Sequence, residues 1–94
     1  MITKEADRYV IEGPVTLHNV EQFVADGATL EGANLVVDFS RVTTVDSSAV
    51  SLMLEWIRQF NGNDRKISFI HLSQSLRSLA ELYGVIDLIP IAAD

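Results

Sequence analysis

The chain has no cysteine and little positive charge. Without cysteine, its 94 residues form no disulfide and provide no thiolate nucleophile. Seven lysines and arginines stand against thirteen aspartates and glutamates, giving a formal net charge of −6. A nucleic-acid-binding protein needs a basic surface to neutralise phosphates, and an anionic membrane surface attracts basic segments. We therefore expect no nucleic-acid partner and no direct docking on an anionic membrane surface.

Long apolar runs are also missing. No segment reaches the roughly 20 apolar residues of a membrane-spanning helix, so we expect no direct insertion into a membrane. The first residues, MITKEADRY, lack the apolar core of a signal peptide. These features favour a cytoplasmic protein, and any role at a membrane must then come through a partner.

The sequence offers no phosphate-binding loop of the G-x-x-x-x-G-K-[ST] type, no G-x-G-x-x-G and no G-x-S-x-G nucleophile turn. Its two histidines, His18 and His71, do not have metal-ligand spacing, and we expect both to be structural or solvated. Asp38 ends an apolar run, as a phospho-acceptor aspartate would, but no acidic pair for Mg²⁺ follows the first strand. We expect a non-enzymatic protein with no cofactor and no metal.

Apolar periodicity alternates between the strand and helix patterns along the chain. It predicts one α/β domain over residues 1–94, with a mainly parallel sheet of four to five strands and about three helices. One or two strands within 2–12 break near residues 6–7, and a helix then starts at Thr16 or Asn19, where Gln22 completes the spacing of a capping box. Later elements are a strand at 67–72, a helix capped by Ser73 and a short edge strand at 88–91. The expected core is Leu35, Val37, Phe39, Met53, Ile57, Phe60, Phe69, Leu76, Leu79 and Tyr83.

The stretch from Leu35 to Phe60 organises the rest. Residues 35–39 read as a buried strand, a polar loop follows, and a helix runs from Ser47 to about Asn61 with Gly62 as its cap. Asp46-Ser47-Ser48 therefore lies at the carboxyl end of a strand, the edge where α/β proteins usually place function. All three residue types also cap helices, so capping by at least one of them is the structural alternative.

The stretch VDFSRVTTVDSSAVSLML resembles the core signature of STAS domains, the family of anti-sigma factor antagonists and of sulfate-transporter tails. In that signature a strand ends in D-h-S-x-V, where h is apolar, and a D-S/T-S/G-G turn begins the next helix. Gly13 falls at the family's early turn, and the tail SLRSLAELYGVIDLIP resembles the small STAS subunit of the Mla phospholipid-transport ABC system of Gram-negative bacteria. Ala49 in place of the usual Gly, and Pro14 in place of an acidic residue, depart from the pattern.

The resemblance implies a binding subunit of an Mla-like ABC system, cytoplasmic and peripheral to the inner membrane. It would dock on the ATPase through the start of the second helix and support ATPase assembly or activity. The partner-binding residues expected there are Asp46, Ser47, Ser48, Ser51, Leu54 and Arg58. The alternative is an anti-sigma factor antagonist that binds its cognate kinase and is regulated by phosphorylation, since the family's phosphorylated serine directly follows the aspartate, which is Ser47 here.

Overall fold

A computed structural model of the chain describes residues 1–92. Two consecutive strands come first, helices and strands alternate after them to give four strands and three helices in residues 1–92, and a 3₁₀ turn follows at Ile86–Leu88. The strands are β1 (Ile2–Glu5), β2 (Arg8–Val15), β3 (Asn34–Val45) and β4 (Lys66–Ile70). The helices are α1 (Val20–Gly27), α2 (Ser47–Asn61) and α3 (Gln74–Leu82).

The sheet has the order β1-β2-β3-β4, with β1 antiparallel to β2 and the other two pairs parallel. The predicted mainly parallel sheet of four to five strands is confirmed. The predicted edge strand at 88–91 is largely wrong, because the 3₁₀ turn takes its first residue and only Ile91 bridges Phe69. The Phe69 N–H donates to the Pro90 carbonyl at 2.9 Å.

Strand β3 is longer than its apolar run predicts. The prediction of a polar loop after Phe39 is wrong, since the strand continues to Val45. Pairing with β2 extends it: Val42 lies opposite Gly13 and Val45 opposite Val15, with one register shift between these two pairs. Gly13 has φ +88°, in the left-handed region that glycine tolerates. As a result, a single residue, Asp46, joins β3 to α2.

One buried cluster joins a face of the sheet to the helices, which gives the domain two layers. Trp56 of α2 lies at its centre, and its indole N–H donates to the Phe23 carbonyl of α1 at 3.1 Å. The close approach depends on Gly27, the last residue of α1, because a Cβ at this position would overlap the Trp56 indole. Most of the predicted core is buried; Ile57 and Leu79 are partly buried, packed against the cluster.

Two predictions around the helix ends are wrong. Tyr83 was expected in the core but is 52% exposed, because α3 ends at Leu82 and Tyr83 is its C-cap. The capping box at α1 does not form: the Asn19 side chain accepts from Thr16 N at 2.9 Å and donates to the Pro14 carbonyl at 2.8 Å. Asn19 therefore shapes the turn that precedes α1.

Candidate partner-binding site at the start of helix α2

Asp46 caps α2 and also holds a neighbouring turn. Its Oδ1 accepts from Ser48 N at 2.8 Å, which satisfies a backbone N–H at the helix start. Its Oδ2 accepts from Leu17 N at 3.0 Å, in the turn between β2 and α1. The Leu17 hydrogen bond is the main cause that lowers the pKa of Asp46, and the bonds from Ser48 act in the same direction. Both carboxylate oxygens are thus engaged, and the carboxylate stays ionised at neutral pH.

Ser47 is left out of the cap. It is the first residue of α2, its side chain is exposed, and its hydroxyl has no partner among residues 1–92. Ser48 is half-buried and serves the cap through its N–H. The capping alternative raised by the sequence therefore holds for Asp46, while the Ser47 hydroxyl faces solvent.

A groove of about 340 Å³ runs beside Ser47. Helix α2 contributes Ser47, Ser51 and the half-buried Leu54, and the segment after α3 contributes Tyr83 and Val85. The structure thus brings Ser51 and Leu54 to Ser47, as expected for one binding surface. Tyr83 was missed as a site residue, because its helical spacing in the sequence is that of a core position.

Arg58 lies outside this groove. Its side chain is 73% exposed and pairs with Glu55, with Nε at 3.0 Å from Oε2. The hydrogen bond from Arg58 lowers the pKa of Glu55, and the same contact raises the pKa of Arg58. Arg58 sits one helical turn beyond Leu54 on an open surface. Of the six expected site residues, Ser47, Ser51 and Leu54 line the groove, whereas Asp46, Ser48 and Arg58 do not.

Asp38 forms a separate charge network on the other face of the sheet, since it alternates with the core residues Val37 and Phe39. It is 6% exposed and contacts Arg8 Nη1 at 3.3 Å and His71 Nδ1 at 2.9 Å. It also accepts from Ser40 N at 2.8 Å. Burial opposes ionisation, but these hydrogen bonds outweigh it and lower the pKa of Asp38 to about 2. The network ties β2, β3 and the end of β4 together.

Within residues 1–92, no group of three or more histidine or acidic side chains is placed to hold a metal ion. No helix in the same range is long and apolar enough to cross a membrane.

A family model described as "Mlab, STAS domain" matches residues 2–90. The chain belongs to the STAS domain family. A search of curated proteins finds no significant match. The comparison with solved structures does find proteins of similar fold, and this fold is consistent with the family assignment.

The anti-sigma factor antagonist SpoIIAA in its unphosphorylated form matches with TM-score 0.73 and 19% identity, over 100% of this chain and 88% of that chain. The Bacillus cell fate determinant SpoIIAA in the phosphorylated form matches with TM-score 0.69 and 20% identity, over 100% of this chain and 91% of that chain. A serine-to-glutamate variant of RsbS from Moorella thermoacetica matches with TM-score 0.65 and 20% identity, over 99% of this chain and 87% of that chain. A sulfate transporter family protein from Wolinella succinogenes matches with TM-score 0.70 and 15% identity, over 87% of this chain and 69% of that chain. At these identities the likeness establishes the fold.

Proposed function

We propose that this STAS domain acts by binding a protein partner through the start of α2, without catalysing a reaction itself. The binding surface comprises Ser47, Ser51, Leu54, Tyr83 and Val85, which line the groove. The observation that carries the proposal is the division of roles at the helix start. Because Asp46 supplies the cap, the exposed Ser47 hydroxyl is not needed for the fold and is available for a partner.

The first partner class is an anti-sigma-type kinase, with phosphorylation of Ser47 as the switch. The kinase transfers the γ-phosphoryl group of ATP to the Ser47 hydroxyl oxygen, which releases ADP and a proton. A phosphate there meets the backbone N–H groups of the first turn, so the fold tolerates it. It also fills the mouth of the groove and adds negative charge beside Asp46, in a chain of net charge −6. Bound partner is thereby released. SpoIIAA, which shares the fold, is known in phosphorylated and unphosphorylated forms.

The second partner class is the ATPase subunit of an Mla-like ABC transporter, which would place the chain at the inner membrane through that partner. The matching family model carries the description "Mlab, STAS domain", and this observation favours the class. In this case the groove holds a segment of the ATPase permanently, and Leu54 and Tyr83 provide its apolar contacts. Ser47 then acts as a hydrogen-bonding contact, with no phosphorylation cycle.

The two classes are separated with purified proteins from the same organism: the anti-sigma-type kinase and the ABC ATPase subunit. Each is titrated with the chain by isothermal calorimetry, and the kinase is also incubated with the chain and ATP before mass spectrometry. Binding and one added phosphoryl group at Ser47 support the switch. Binding of the ATPase alone supports the transporter subunit.

Ser47→Asp tests the surface itself in either class. We expect it to weaken binding by at least about 10-fold, because a charge at an interface must be desolvated. Ser78→Asp is the matched control, since Ser78 is exposed on α3, does not line the groove, and receives the same charge. Equal affinity of the Ser47→Asp variant and the wild type would refute the proposed binding surface.

A further inference from the structure

Leu17 is an exposed apolar side chain on an ordered turn. It is 72% exposed, in the four residues 16–19 that join β2 to α1. Single exposed leucines are common on protein surfaces, so exposure alone indicates nothing. The turn, however, is fixed from several sides: Asn19 bonds to Thr16 N and to the Pro14 carbonyl, and Asn19 N and Val20 N donate to the Thr16 carbonyl.

The Asp46 carboxylate ties this turn to the proposed binding surface. The same group that caps α2 accepts the Leu17 N–H at 3.0 Å. Ser47 directly follows Asp46 and lines the groove together with Tyr83, so the Leu17 turn and the groove meet at the same helix start. Leu17, Ser47 and Tyr83 are all exposed, so they can meet a single partner together.

The charges around this edge define the chemistry of the partner. Most basic side chains lie elsewhere or are neutralised: Arg8 and Arg41 pair with carboxylates on the sheet, and Arg58 pairs with Glu55. The edge itself has the ionised Asp46, with His18 close enough to interact with it electrostatically, and the exposed Glu81 and Asp87 bracket Tyr83 and Val85 in the sequence. A groove with apolar lining residues, next to acidic residues in a chain of net charge −6, suits an amphipathic helix with an apolar stripe and basic borders.

We propose that the partner-binding surface extends across Ser47 to Leu17, which anchors a basic amphipathic helix of the partner, and that Asp46 positions Leu17 for this contact. This inference rests on the proposed function, because it enlarges the same surface. Leu17 contacts the partner directly. Asp46 acts through Leu17 and is a positioning residue.

The experiment uses whichever of the two purified proteins, kinase or ATPase, binds the wild-type chain. Leu17→Asp should weaken binding by at least about 10-fold, and Leu17→Ala by about 5-fold or more, because both remove an apolar anchor. The matched control is Leu88→Asp, since Leu88 is 63% exposed and lines a different groove, with Asn34 and Lys66. It should change the affinity by less than about 2-fold. Both leucines are exposed, so both variants fold.

The positioning role is tested by a double-mutant cycle. Serine at position 46 retains a capping hydroxyl but lacks the second carboxylate oxygen, so Asp46→Ser should speed amide hydrogen exchange at Leu17 and weaken binding. In the Leu17→Ala background, Asp46→Ser should weaken binding little further. Additive losses would show that Asp46 does not act through Leu17, and they would overturn its positioning role.

The remaining outcomes separate this inference from the proposed function. If Ser47→Asp abolishes binding and Leu17→Asp does not, the inference fails and the proposed function stands. If neither purified protein binds, both fail. Affinity for a basic helix should drop several-fold between low and physiological salt, and a salt-independent affinity would refute the basic partner. A wild-type dimer in sedimentation that Leu17→Asp dissociates would instead assign the surface to a second copy of the chain, and would overturn the inference.

Discussion

Two serines lie at helix starts, and we expect replacement by alanine to affect stability differently at each. Ser73 caps α3, because its hydroxyl oxygen accepts from Leu76 N at 3.1 Å. Ser47 begins α2 but does not cap it, since Asp46 accepts from Ser48 N. Ser73→Ala should therefore destabilise the domain and Ser47→Ala should not.

The magnitudes follow from these contacts. Loss of a serine N-cap costs about 0.5–2 kcal/mol in the free energy of unfolding, so Ser73→Ala should lower the melting temperature by about 4–8 °C for each 1 kcal/mol lost. Ser47→Ala removes an exposed hydroxyl without a partner, and the change should stay within about 0.5 kcal/mol. Alanine has a higher helix propensity than serine, which offsets part of even this small effect.

Urea denaturation followed by circular dichroism measures both variants beside the wild type. The unfolding slope should be equal in all three, since neither change alters the surface exposed on unfolding. A loss for Ser47→Ala as large as that for Ser73→Ala would show that Ser47 belongs to the cap. It would refute the inference that the Ser47 hydroxyl takes no part in the cap and is available to bind a partner.

Three further predictions concern the sheet, the core and the groove. The pKa of Asp38 is about 2 in the folded protein and 3.8 in the unfolded chain, so its ionised carboxylate stabilises the fold above pH 4. This contribution to the free energy of unfolding is about 1–2 kcal/mol after solvent screening, and it is lost as the pH falls towards 2. In acid titrations of stability, Asp38→Asn should remove that part of the slope, and an unchanged slope would contradict the assignment. Gly27→Ala should cost about 1–3 kcal/mol and shift Trp56 fluorescence, because the added Cβ overlaps the indole; wild-type stability with an unshifted spectrum would show that α1 and α2 pack differently. Leu54→Asp should keep the circular dichroism of the fold yet weaken partner binding by at least about 10-fold, and unchanged binding would remove Leu54 from the surface.

The sequence predicted the fold well where a pattern was local. The largely apolar run at 35–39 indicated a buried strand, and the bounds of α2 followed from its capping residues and its apolar stripe. The family signature lies in this same stretch, so the sequence predicted Asp46, Ser47 and Ser48 as the residues at the start of α2. The serine cap of α3 was equally readable.

The features that were missed depend on contacts between distant segments. Residues 40–45 look like a polar loop, and only pairing with β2 makes them strand. Tyr83 has the spacing of a core residue, but α3 ends one residue before it, and it lines the groove instead. Leu17 carried no signal in the sequence, because the contact that singles it out is a hydrogen bond from its N–H to a carboxylate 29 residues away.

The sequence by itself determined which residues are available at the helix start, since side-chain chemistry and local periodicity are properties of the chain. It left open which of Asp46, Ser47 and Ser48 would cap α2, because all three can. Tertiary structure decided this. The short connection from β3 places the Asp46 carboxylate between two backbone N–H groups, Ser48 N and Leu17 N, and one ionised group satisfies both. Ser47 is left pointing to solvent, where a partner can reach it.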